Sequence, residues 1–238
     1  MAPEISQKDS VTVYNSPPET KRPDINLKIQ VDNIKAELSK EINIALSMND
    51  ISIKEQSTLI KKSRLDSYCK LTILYSQHNK YDKALPYAAA LYQMDMNNEV
   101  FKYNLANILN KLNSGKIAIV LGLNLIRSHP DNPQYHSLLA TSYSIENKHS
   151  EALKYMLIAS SISPNEFEYL ASIGLLYKKL GNIHSAIEYY RKSLEINPNN
   201  VSVNMEISEL YYMQRNNTLS KKFLMIAKSL SPDNKLIQ

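Results

Sequence analysis

Residues 167–200 read FEYLASIGLLYKKLGNIHSAIEYYRKSLEINPNN. Two helical runs flank Gly181, and Pro198 stops the second by withholding an N–H. This proline recurs: Pro130, Pro164, Pro198 and Pro232 stand 34 residues apart. A fixed period between about 20 and 50 residues marks a solenoid. Each repeat is then a helix pair that cannot bury its apolar side alone, so stacked neighbours make the core.

The frame extends outward to five blocks: 65–98, 99–132, 133–166, 167–200 and 201–234, with Met96 in the proline's place in the first. Position 8 reads Thr72, Ala106, Ala140, Gly174, Ser208, and position 20 reads Ala84, Ala118, Ala152, Ala186, Ser220. All are small, as close approach of two helix backbones requires. Position 7 (Leu71, Leu105, Leu139, Ile173, Ile207) and position 11 (Tyr75, Leu109, Tyr143, Tyr177, Tyr211) lie four apart on one face of the first helix. Position 15 reads Asn79, Asn113, Asn147 and Gly181, the residues that best tolerate the left-handed conformation ending a helix. The fifth block has Arg215 there, followed by Asn216 and Asn217, which predicts a turn that is longer or shifted by one residue.

With Leu170, Gly174, Tyr177, Ala186, Tyr190 and Pro198 on its pattern, the 167–200 stretch resembles a tetratricopeptide repeat. The resemblance extends over residues 65–234. It implies an all-α superhelical solenoid of five helix-turn-helix repeats with an N-terminal helical cap. Residues 1–24, polar and carrying Pro17, Pro18 and Pro23, read as a flexible arm. Residues 25–64 read as a helical segment: Leu27, Val31, Ile34, Leu38, Ile42 and Ala45 fall at helical spacing. Asn49-Asp50 ends that helix. Ser52 with Glu55 forms a capping box for a second one, through Leu59 and Ile60, that runs on into the first repeat. These helices are expected to cap the solenoid rather than form a separate dimerisation or partner-binding element. Residues 235–238 form a short tail.

At the C-terminal end, Leu219, Phe223, Ile226 and Leu230 lie on a last helix with no polar helix after it, and Leu236 and Ile237 are placed to fold back over part of it. This face is expected to pair with a second copy or with another chain.

Composition narrows the function classes. The chain has 238 residues, a net charge of +5, 16 tyrosines, no tryptophan and a single cysteine, Cys69. One cysteine excludes an internal disulfide and suits a reducing compartment. His78, His129, His149 and His184 fall in or beside turns, and no two histidines have helical metal-pair spacing. Gly115, Gly122, Gly174 and Gly181 are too scattered for a phosphate loop. No catalytic residue, metal or cofactor is therefore expected, and Cys69 reads as a packing or groove residue. Lys61-Lys62, Lys178-Lys179 and Lys221-Lys222 read as solvated helix faces. Nucleic acid remains the last of the alternatives. No run of 18 apolar residues predicts a membrane span, and MAPEISQKDS does not read as a secretion leader, so a cytoplasmic place is expected.

Protein binding is the expected function, as an adaptor or assembly factor. The resemblance implies a concave groove lined by the first helix of each pair. Its positions hold Cys69, Ile73 and Ser76, then Tyr103, Asn107 and Asn110, then Ser137 and Thr141, then Leu175 and Lys178, then Met205 and Tyr212. Such a groove is mixed, with apolar patches, amides for an extended peptide backbone and lysine toward its C-terminal end. Tetratricopeptide repeats that clamp acidic C-termini need paired cations. Only Asn107 matches that pattern, with Tyr103 and Leu138 where cations would stand. The stretch from Ile44 to Ile119, with IALSMNDIS, YSQHNKYDKAL and LYQMDMNNEVFKYNLANILNKLNSGKIAI, also resembles the class II chaperones of bacterial type III secretion. That resemblance implies an alternative, a chaperone holding an extended segment of a translocator protein. It departs in having five repeats, and in Cys69, Ile73 and Ser76 where those chaperones carry aromatics.

Overall fold

The computed structural model describes residues 24–47 and 53–232. Among these there are eleven helices and no strand. The chain divides into two compact units between Leu112 and Asn113, so the 99–132 block contributes one helix to each. The arm over residues 1–23, the Asn49-Asp50 turn, the Ser52 cap and the tail with Leu236 and Ile237 lie outside the described residues, as do the side chains of Ala45 and Glu55.

The first unit contains α1 (Asp24–Ser47), α2 (Ile53–Gln77), α3 (Tyr81–Met94) and α4 (Glu99–Lys111). α1 packs against α2, burying Leu27 and Val31, while Ile34, Leu38 and Ile42 are half-buried. Lys70 on α2 reaches Glu37 on α1 at 3.2 Å. No proline or glycine interrupts residues 53–77, and α2 runs unbroken through the start of the 65–98 block.

The second unit contains α5 (Gly115–Ser128), α6 (Pro133–Ile145), α7 (His149–Ile162), α8 (Phe167–Lys179), α9 (Ile183–Ile196), α10 (Val201–Met213) and α11 (Asn217–Leu230). α6–α7, α8–α9 and α10–α11 are hairpins, and the second helix of one packs on the first of the next. The helix starts recur every 34 residues, at 133, 167 and 201 and again at 149, 183 and 217.

The turns follow from position 15. Asn79, Asn113, Asn147 and Gly181 all have positive φ. Arg215 does too, at 59°, so the fifth turn is neither longer nor shifted. The cause is a shared hydrogen bond across the helix end. The N–H groups of Lys80, Lys148, Asn182 and Asn216 each donate at 2.9 Å to the carbonyl of the tyrosine five residues back. That closure requires a left-handed residue just before the donor, and in the fifth turn Arg215 bears the strain.

The small positions are buried as their size predicts. Ala84, Ala106, Ala118, Ala140, Ala152 and Ala186 are fully buried. Ser208 Oγ donates to the Ser220 carbonyl at 2.9 Å, so positions 8 and 20 meet across α10 and α11. Position 11 also stacks on position 23: Tyr75 on Tyr87, Tyr143 on Tyr155, Tyr177 on Tyr189 and Tyr211 on Phe223, with centroids 5.4–6.0 Å apart. Each of these four hairpins thus combines buried small residues with one aromatic stack, whereas the 99–132 block has Leu109 and Leu121 at the stacking positions. Asn98, Asn132 and Asn200 cap α4, α6 and α10 through their side chains. Glu166 stands at the same frame position before α8 and makes no side-chain cap.

Candidate functional site

In the second unit, side chains link the first helices of successive pairs. Lys179 Nζ lies 3.4 Å from Ser144 Oγ, joining α8 to α6. Lys178 Nζ donates to Glu206 at 2.9 Å and to Glu209 at 2.5 Å, joining α8 to α10. The Tyr190 hydroxyl donates to Glu206 at 3.4 Å. Burial opposes the charge on Lys178, but the two carboxylate hydrogen bonds outweigh it and raise its pKa. Burial, and then the Glu206 charge, push the Tyr190 phenol up. Lys178, read from sequence as a cation open to a ligand, is thus committed to two carboxylates, and the cluster carries a net negative charge. Glu209 stands at groove position 9 of the next repeat, in line with Leu175, whereas Glu206, at position 6, lies outside the groove positions of the frame.

Around that cluster Leu175 is 40% and Tyr212 68% exposed. Thr141 is exposed, and Ser137, Ala171 and Met205 are half-buried. Glu168, at the second position of α8, sets its half-buried side chain beside the Glu166 carboxyl. Burial, and then a hydrogen bond with the Glu166 carboxyl, push its pKa up to about 7.

In the first unit, Ile73 is exposed and lines a cavity of about 400 Å³ with Gln30, Asn33, Ile34, Lys70, Leu74 and Gln77. Cys69 and Ser76 on α2 are half-buried, as are Tyr103 and Asn107 on α4. Asn110 is only 7% exposed, so it is less open than its repeat position implies. Burial, and then the Asp66 charge, push the Cys69 thiol up, which disfavours the thiolate a nucleophile needs.

The last helix also differs from expectation in detail. Leu219 and Phe223 pack against the core that includes Tyr211, and Ile226 and Leu230 are half-buried. The apolar side chains that α11 turns to solvent are instead Met225, 71% exposed, and Leu224. His136 is buried, with Nε2 2.6 Å from the Pro130 carbonyl and its ring on Tyr155. Among the described residues no cluster of three or more His, Cys, Asp or Glu is arranged to hold a metal ion. Among them, too, no helix is long and apolar enough to cross a membrane.

Residues 76–141 and residues 167–200 each match the tetratricopeptide repeat family. The chain is 30% identical over 106 residues to the human general transcription factor 3C polypeptide 3. That match covers 44% of this chain and 12% of the human protein. Among solved structures, TTC0263, a thermophilic tetratricopeptide-repeat protein of Thermus thermophilus, superposes with a TM-score of 0.62 at 17% identity, covering 73% of this chain and 94% of its own. YrrB, a tetratricopeptide-repeat protein with an unusual peptide-binding site, superposes with a TM-score of 0.56 at 19% identity, covering 76% of this chain and 94% of its own. At these identities the likeness is one of fold.

Proposed function

Because this chain carries tetratricopeptide repeats, we propose that it is a non-catalytic scaffold that holds a segment of a partner protein against the first helices of its pairs. The supporting observation is exposed Leu175, set between the Lys179–Ser144 and Lys178–Glu209 links, with Tyr212 further along α10. Bridged side chains make successive helices present one surface. An uncovered leucine and tyrosine on it supply the apolar anchors on which affinity concentrates. The Ser137 and Thr141 hydroxyls on α6 would answer N–H and C=O groups of an extended segment. The peptide-binding site of YrrB, a protein of similar fold, supports the reading. Tyr103 and Asn107 on α4 would serve the same purpose in the first unit.

The test is to recover the partner from the native host by pull-down and mass spectrometry, then measure its affinity for purified variants. Leu175→Asp with Tyr212→Ala is expected to weaken binding at least tenfold, as is Tyr103→Ala with Asn107→Ala. Unchanged affinity in both would refute the assignment. The partner's state separates the two forms of the reading: an unfolded client indicates a secretion chaperone, and folded machine components indicate an assembly adaptor.

A further inference from the structure

The second helix of each pair has its own solvent side, independent of the face just described. In the 34-residue frame it centres on position 22, exposed on all five second helices, with positions 19 and 25 one turn to either side. On α9 these are Ser185, Glu188 and Arg191, on α7 Glu151, Lys154 and Leu157, and on α3 Lys83, Pro86 and Ala89. On α5 they are Ile117, Val120 and Leu123, which are 57%, 58% and 39% exposed. The other side of α5 buries Ala118, Leu121, Gly122 and Leu125, so the helix is apolar on both sides. A solvated helix normally keeps its outer side polar. Three adjacent aliphatic side chains left in water, spaced three apart, form the kind of contiguous patch that marks an interaction site.

The charges on α5 indicate what covers the patch. Lys116 and Arg127 are its only charged residues; both are exposed and they stand at opposite ends of the stripe. We propose that Ile117, Val120 and Leu123 dock an amphipathic helix of another protein whose apolar stripe is flanked by acidic residues. The patch runs about 9 Å along α5, enough for a crossing helix to set down two or three apolar side chains in the manner of helix-in-groove recognition. A second copy of α5 fits poorly. Packed antiparallel it sets Lys116 beside the copy's Arg127, packed parallel it sets like beside like, and α5 has no acid to answer either.

Two 20-residue helical peptides with the same leucine stripe, one flanked by glutamate and the other by lysine, test the proposal by fluorescence anisotropy on the full chain in low salt. The glutamate peptide is expected to bind at least tenfold more tightly than the lysine peptide. Ile117→Ser/Val120→Ser, with helicity and melting checked by circular dichroism, is expected to weaken it at least tenfold. Lys116→Glu/Arg127→Glu should reverse the preference, and Leu175→Asp should leave it unchanged, which separates this site from the first-helix face. The proposal is overturned if the two peptides bind alike, if neither binds, or if the double serine variant binds as the parent does. It is also overturned if sedimentation shows a dimer that Val120→Ser dissolves. Recruitment to phosphatidylserine vesicles without binding of the glutamate peptide would equally sink it.

Discussion

The α8–α9 and α10–α11 hairpins occupy the same frame and solve it with different residues. In α8–α9 the close approach is made by Gly174, where an added Cβ would stand 2.7 Å from the Tyr190 ring. In α10–α11 it is made by Ser208, hydrogen-bonded to the Ser220 carbonyl. The α8–α9 turn has Gly181 at φ 79°, and the α10–α11 turn has Arg215 at 59°. α10 begins at Asn200, whose side chain accepts from the Val203 N–H at 3.0 Å, whereas α8 begins at Glu166 with no such bond. Each hairpin thus meets two requirements well and one badly. The period prescribes a small contact, a left-handed residue and a cap, but it does not demand that all three be good at once.

Substitutions can break that comparison, and the largest effect is expected at the close approach. Gly174→Ala should cost about 2 kcal/mol in urea denaturation, because the enclosed Tyr190 ring cannot yield and overpacking outweighs the gain in helix propensity. Ser208→Ala, which removes the buried hydrogen bond to the Ser220 carbonyl and the contact with its hydroxyl, should cost about 1 kcal/mol. If Gly174→Ala melts like the parent, the two hairpins are not alternatives of the kind described.

The turns come next and should move in opposite directions. Arg215→Gly is expected to stabilise the chain by about 1 kcal/mol and Gly181→Ala to destabilise it by about the same, since only glycine is free of the left-handed penalty. Thermal melts of the two variants, shifted to either side of the parent, would confirm it; shifts of the same sign would contradict it.

The cap is the third requirement, and it carries a pH signature. The Glu168 carboxyl is raised from its ordinary 4.5 to about 7, so the folded state holds this proton more tightly than the unfolded chain. Its contribution is fully present below about 4.5 and is lost as pH rises through about 7. Glu168→Gln should flatten the stability profile across that window, and Glu166→Asn should both supply a cap and lower the midpoint. A profile in Glu168→Gln as steep as the parent's would assign the titration to another group.

Much of the fold is legible in one sequence because helix-pair geometry puts steric demands on single positions. Alanine at positions 8 and 20 and asparagine at position 15 report those demands directly. Arg215 was harder to read because its φ is imposed by the Asn216 to Tyr211 bond and not by its own preference. The stacking of positions 11 and 23 is equally periodic in Tyr87, Tyr155, Tyr189 and Phe223, but the period alone does not distinguish a ring that stacks from one that fills the core. The candidate site was less legible because its chemistry depends on neighbours in the next repeat. Lys178 reads as a free cation until Glu206 and Glu209, 28 and 31 residues on, are found beside it. Asn110 reads as a groove amide until its burial is seen.

The tyrosine stacks also give the chain optical reporters. With no tryptophan to dominate its near-ultraviolet spectrum, the signal comes chiefly from 16 tyrosines. Three tyrosine–tyrosine stacks each bind the two arms of a single hairpin: Tyr75 with Tyr87, Tyr143 with Tyr155 and Tyr177 with Tyr189. Stacked phenols couple their transitions, and separated ones do not. Replacing one ring of the Tyr143–Tyr155 or Tyr177–Tyr189 stack by phenylalanine removes that pair's coupled signal, so the unfolding of its hairpin can be followed by difference without any attached dye.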